Sequence, residues 1–188
     1  MSWFAVDRFE LASALDIPAE TRDHATAAAA LEKWLVAQRG GAPGDVLALM
    51  KREGRYRVLP EDEARAEVPI WFEAQWETLL YDRAGARQVY RAPWTPPDWE
   101  AVAKDLARAI GLPFLRDAAR RGLFGFRAKH GLLGFLTLRE VRETLKSWGT
   151  IDQTRFRGTA LRLLLIEEIQ ASLRAASGFD RELVMSLV

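Results

Sequence analysis

Cysteine is absent from this 188-residue chain, and histidine occurs only twice, as His24 and His130. The absence of cysteine excludes disulfide frameworks, zinc sites with thiolate ligands and cysteine nucleophiles. Because the two histidines are far apart in the sequence and His24 has no second ligand four residues on, we predict no metal site. A chain without cysteine is also compatible with a reducing cytoplasm, which is the location we expect.

Long apolar runs are also absent. No stretch approaches the ~18 consecutive apolar residues that a membrane-spanning helix needs, so we expect no contact with a membrane. The first ten residues include Asp7, Arg8 and Glu10, which are not typical of the apolar core of a secretory signal. Hydrophobic residues make up 49% of the chain and charged residues 28%, which is ordinary for a globular protein and excludes disorder throughout.

A large net charge is missing too, because 27 basic residues nearly balance 26 acidic ones. The balance is uneven along the chain. Residues 1–97 carry 12 basic and 15 acidic side chains, whereas residues 98–150 carry 10 basic and 6 acidic ones. The sequence therefore excludes a globally basic nucleic-acid binder, but it permits a local basic patch in the middle of the chain.

Proline and glycine divide the chain into three predicted units. Residues 92–98 contain three prolines within five positions, which interrupt any helix or central strand. Gly149 follows a helical pattern at the position where a helix commonly ends. These breaks predict an N-terminal α+β domain at 1–92, a middle domain at 93–149, and an apolar C-terminal helix within 150–188.

The periodicity of apolar residues predicts a mainly helical α+β fold with small β hairpins. Helices are predicted at 6–15, 22–38, 46–52, 98–110, 114–121, 138–148 and 156–173. Strands are predicted at 55–59, in a hairpin over 68–91, and in a second hairpin over 124–136 whose tip is 129–131. An alternative for 68–80 stays open, namely a helix with Phe72, Trp76, Leu79 and Leu80 on one face.

The parts between residues 103 and 149 follow a recognisable order. Asp105–Leu112 has the form of a first helix and turn, Leu115 to Leu123 the form of a second helix with a glycine stop, and Leu138–Trp148 that of a later helix. This order resembles the winged helix-turn-helix of the MerR and excisionase families. The resemblance implies that the second helix enters the major groove of DNA, and that a wing turning at Lys129–Gly131 touches the flanking backbone.

Basic residues concentrate in the same stretch. Arg116 and Arg120 are four residues apart and share one helix face. Between Gly111 and His130 there are five cations and a single acidic residue, Asp117. Cations on one surface are what phosphate neutralisation needs, and arginine pairs with guanine through two hydrogen bonds. We therefore predict a DNA-binding protein with a regulatory or architectural role, the regulatory one being in transcription. Its predicted contact residues are Arg116, Arg120, Arg121, Arg127, Lys129 and His130.

Two other interpretations stay open. The arginines can simply form a solvated surface, and the apolar C-terminal helix can serve as an interface, either between two copies of the chain or with another protein. The tryptophan-rich junction formed by Trp71, Trp76, Trp94 and Trp99 can belong to that interface. We predict no catalytic residue and no cofactor, because no acid–base pair, nucleophile or cofactor motif is visible. The residues predicted to form the homodimer contact are Leu161, Leu164, Leu165 and Ile169.

Overall fold

The computed structural model describes residues 1–42, 44–84, 88–91, 95–149 and 160–187. The helices in these ranges are α1 (Arg8–Leu15), α2 (His24–Arg39), α3 (Val46–Arg52), α4 (Glu61–Ala84), α5 (Pro96–Ile110), α6 (Phe114–Ala118), α7 (Leu138–Trp148) and α8 (Ala160–Gly178). The strands are β1 (Ser2–Val6), β2 (Gln88–Arg91), β3 (Leu132–Leu136) and β4 (Glu182–Leu187). The described part is therefore mainly helical with a small sheet, which confirms the predicted α+β class.

The four strands form one antiparallel sheet in the order β2-β1-β4-β3. Its two inner strands come from opposite ends of the sequence, with Ser2 paired to Ser186. Each of the three predicted units contributes at least one strand, so the sheet joins all three. The predicted boundaries themselves fall within 92–94 and 149–159, most of which lies outside the described residues.

Two helical layers cover the two faces of the sheet. Alternate residues of β1 separate into the two cores, since Phe4 packs with α1 to α4 whereas Trp3 packs with α5 to α8. On β4, Val184 and Met185 divide in the same way. We call α1–α4 the first helical layer and α5–α8 the second. Burial on both faces explains why these strands are apolar nearly throughout.

The strand predicted over residues 68–80 is wrong, and the helical alternative is confirmed. These residues belong to α4, whose buried side chains include Trp71, Trp76 and Leu80. The apparent alternation came from Glu73 and Gln75, which look like exposed polar positions but are buried. They tolerate burial because both are hydrogen-bonded, which removes most of the cost of leaving water.

Two other predicted β segments need correction. Residues 55–59 are not a strand, because a 3-10 turn covers Gly54–Tyr56. The hairpin over 124–136 does not form either. Leu123 and Phe126 close a tight turn, and only Leu132–Leu136 is a strand, which pairs with β4. Because β3 has apolar side chains on both faces, it is stabilised between two helical layers rather than in an exposed wing.

Most of the predicted helices are confirmed within a few residues. These are the helices predicted at 22–38, 46–52, 98–110 and 138–148, and the C-terminal helix, whose described part is Ala160–Gly178. At the N-terminus, the helix predicted from Val6 begins at Arg8, after Asp7 has capped it, and the strand before it was not predicted. In the described part of the chain, no helix is both long enough and apolar enough to cross a membrane.

Candidate anion-binding cleft between α5 and α6

Helix α5 presents one apolar and one charged face. It begins at Pro96, where the backbone N–H of Thr95 donates to the Asp98 carboxylate at 2.9 Å and proline suits the first turn. Trp99, Val102 and Leu106 are buried against the second core. The opposite face exposes Glu100 and Lys104, four residues apart and therefore on neighbouring turns of the same side.

Helix α6 follows α5 after a short turn and is fixed firmly to the sheet. Gly111 ends α5 in a left-handed conformation (φ 75°), which glycine adopts without strain. The buried side chains of Leu115 and Ala118 hold α6 to the second core. A Cβ atom at Gly134 of β3 would lie 1.9 Å from the carbonyl oxygen of Ala118, so glycine there allows the strand to pass directly beneath α6.

The charged faces of the two helices enclose a cleft of about 440 Å³. Five charged residues line it, namely Glu100, Lys104, Arg116, Asp117 and Arg120. Arg120 forms an ion pair with Glu100, and both side chains are more than half exposed (63% and 52%). Within the described ranges, Lys104 and Arg116 are exposed and form no ion pair. The cleft therefore offers two uncommitted cations and a third held by an exposed, exchangeable partner.

Arg121 points away from this arrangement, to helix α7. Its Nη1 lies 2.6 Å from Glu140 Oε2, and the backbone N–H of Thr137 donates to the same carboxylate at 3.0 Å. Burial raises the pKa of Glu140, but the hydrogen bonds from Arg121 and Thr137 outweigh burial and hold the pKa below its ordinary value. Arg121 thus supports the start of α7, and its position does not add to the cleft.

The remaining predicted contact residues lie in a loop that packs against the first helical layer. The backbone N–H groups of Lys129 and His130 donate to the two carboxylate oxygens of Glu73, at 2.8 and 2.9 Å. The backbone N–H of Arg127 lies 3.4 Å from His24 Nδ1, and the His24 ring stacks on Phe126. The loop is therefore not the tip of a wing, and the structure does not bring these three residues to the cleft of Arg116 and Arg120.

Two of the four residues predicted for a dimer contact are committed to the core. Leu165 and Ile169 are buried in the second core, so they are not available to a partner as predicted. Leu164 is 54% exposed, with the exposed Leu163 beside it, and the side chain of Leu161 lies outside the described residues. Trp71, Trp76 and Trp99 of the tryptophan-rich junction are buried as well, whereas Trp94 is not among the described residues.

The sequence prediction found two of the three cations of the cleft and missed Lys104. The signal was present, because Glu100 and Lys104 stand four residues apart on the side of α5 opposite its apolar stripe. Glu73 was missed for another reason, since nothing local shows that its carboxylate accepts hydrogen bonds from a distant loop. Across the described ranges, no group of three or more His, Asp or Glu side chains is arranged to hold a metal ion.

Comparison with known proteins gives no relative for this chain. No family model matches it, and neither a curated protein nor a solved structure shows significant similarity.

Proposed function

We propose that the protein binds double-stranded DNA through the cleft between α5 and α6. The observation that carries the proposal is that Lys104, Arg116 and Arg120 line one cleft although they come from two helices and the turn after them. Arg121, Arg127, Lys129 and His130 lie outside the proposed contact. The proposal includes a regulatory or architectural role and a cytoplasmic location.

The chemistry of these side chains suits phosphate oxygens. A guanidinium group presents parallel N–H donors that match two oxygens of one phosphate, and an ammonium group adds a compact charge. The order of α5, a short turn and α6 also supports the proposal, because it follows the resemblance of residues 103–149 to the MerR and excisionase families. Since the loop at 127–130 packs on the first layer, the proposed contact uses α5 and α6 without a wing.

The proposal is tested by titrating a fluorescent duplex of mixed sequence with the protein at several salt concentrations. Three phosphate contacts give a slope of about −2.7 for log affinity against log salt, so affinity falls about 40-fold between 50 and 200 mM. Charge reversal in the variant R116E/R120E should abolish binding. The matched control is R65E/R139E, which changes net charge equally at exposed ion pairs outside the cleft.

Two results would contradict the proposal. One is an affinity that does not change with salt, because phosphate contacts release counterions. The other is an equal loss of binding in R65E/R139E, which would show that only net charge matters. Circular dichroism of each variant verifies that the fold persists.

A protein-interaction role is the second candidate, and one observation favours it. Leu163 and Leu164 expose adjacent apolar side chains near the start of α8, the apolar C-terminal helix. Such a role predicts concentration-dependent association in sedimentation experiments, weakened by L163S/L164S and unaffected by R116E/R120E. A monomer at all concentrations, without a captured protein partner, would leave DNA binding as the only candidate.

A further inference from the structure

Glu100 stands among the cations of the cleft. It lies one turn before Lys104 on α5, and its carboxylate pairs with Arg120, twenty positions later in the sequence. The pair therefore links α5 to the turn after α6, and both of its residues line the cleft. In the free protein one of the three cations already has an anion bound to it.

A carboxylate and a phosphate compete for the same donors of a guanidinium group. Both present two oxygens at a spacing that fits the parallel N–H groups of arginine. The contact seen here is made through Arg120 Nη2, one of the donors that a phosphate would use. Because both partners are more than half exposed, water screens the pair and makes it exchangeable.

We propose that Glu100 is an internal competitor of phosphate for Arg120 and thereby sets the affinity of the cleft. The inference rests on the proposed DNA-binding function and adds an affinity-determining residue to it. When a phosphate group binds, the Glu100 carboxylate leaves Arg120 and returns to water. No covalent bond is made or broken in this exchange, because Arg120 gives up its hydrogen bond to Glu100 and forms one to the phosphate, and it stays paired in both states.

The cleft itself supplies a matched control for this proposal. Asp117 also lines the cleft and carries the same charge, but within the described ranges its carboxylate forms no ion pair. Replacing Asp117 by asparagine removes general repulsion of DNA without freeing an arginine. Replacing Glu100 by glutamine removes the same repulsion and also frees Arg120.

The experiment is a double-mutant cycle of duplex affinity at low salt, using the full chain and the variants E100Q, D117N, R120Q, E100Q/R120Q and D117N/R120Q. We expect E100Q to tighten binding about two- to fivefold, the range that an exposed ion pair supplies. In the R120Q background this gain should fall to the level seen with D117N. The effect of D117N should be the same whether or not Arg120 is present.

The outcomes separate the inference from the function on which it rests. If E100Q tightens binding equally with and without Arg120, its role is general repulsion and the competitor proposal is wrong. If the wild-type chain and E100Q both fail to bind duplex at low salt, the proposed function itself fails and the inference fails with it. Thermal unfolding of each variant checks that none of these changes acts through the fold.

Discussion

The two helical layers use their charged residues differently. In the first layer, Arg39 pairs with Glu53, donates to Gln75 and lies over the ring of Trp71. In the second layer, Lys104 and Arg116 are exposed beside the cleft, and the described residues give them no ion-pair partner. Arg39 in the first layer thus holds the protein together, whereas Lys104 and Arg116 in the second layer are available to a ligand.

The difference follows from burial. A charge taken out of water must be paired and hydrogen-bonded, so partly buried groups such as Arg39 and Glu53 are fixed by the fold. A charge at the surface pays no such cost and keeps its capacity to bind. Arg120 and Arg121 differ in the same way. Arg121 is fixed by the part-buried Glu140, whereas the partner of Arg120, Glu100, is exposed. Stability and DNA affinity should therefore respond to different sets of substitutions.

The largest expected loss of stability comes from breaking the first layer at Glu73. The variant E73A leaves the N–H groups of Lys129 and His130 without their carboxylate, which should cost about 3 kcal/mol of unfolding free energy. Urea denaturation measures this, and DNA affinity should change less than twofold. The control E67A alters the same helix without breaking a described hydrogen bond. A loss below ~1 kcal/mol would show that the loop is held by other contacts.

A smaller loss of stability is expected when the contact between β3 and α6 is disturbed. In G134A the added methyl group meets the carbonyl of Ala118, and the resulting shift should cost about 2 kcal/mol. Because α6 must move, DNA affinity should also fall. G134A should therefore lower both the unfolding free energy and the DNA affinity, whereas E73A should lower only the unfolding free energy. G178A is the control, since a methyl group there meets nothing within 4 Å. Equal stability of the two variants would contradict the close packing under α6.

Removal of a free cation from the second layer should change the affinity for DNA but not the stability of the fold. The variant K104Q should weaken duplex binding about threefold to fivefold at low salt and reduce the salt slope by about 0.9. Its unfolding free energy should stay within ~0.5 kcal/mol of the wild type, because Lys104 is exposed. K33Q provides the comparison, since Lys33 forms an exposed pair with Asp16 in the first layer. An unchanged salt slope in K104Q would place this residue outside the contact.

An effect of similar size on stability is a pH dependence at Glu140. Its pKa is lower in the folded protein than its ordinary value of 4.5, so folding is favoured when the carboxylate is charged. That stabilisation is present above about pH 4.5 and is lost as the pH falls through the folded-state pKa. E140Q should cost about 1 kcal/mol at pH 7 and progressively less below pH 4.

Urea titrations of the wild type, E140Q and E143Q over this pH range check the prediction. Glu143 serves as control because it pairs with Arg139 at the exposed surface of the same helix. A difference between wild type and E140Q that persists unchanged at low pH would contradict the role assigned to the charged form of Glu140.

The sequence predicted those parts of the fold that depend on local pattern. Helix α7 followed from its apolar periodicity, and the structure shows that Thr137 and Glu140 cap its start. Arg116 and Arg120 followed from their spacing of four residues. The partnership of β1 with β4 was not predictable in this way, because no local pattern identifies a partner at the other end of the chain. Burial of Glu73 was equally hidden, since it depends on a loop 56 positions away.

The antiparallel pairing of Ser2–Val6 with Glu182–Leu187 has a consequence for how this chain is made. During synthesis, β1 has no partner on this edge until β4 has left the ribosome. Contacts between such distant segments form slowly, because closing a long loop costs conformational entropy before the contact repays it. β1 therefore presents an unpaired apolar edge until β4 has been synthesised, and chaperones that bind extended apolar segments should associate with the nascent chain during that time.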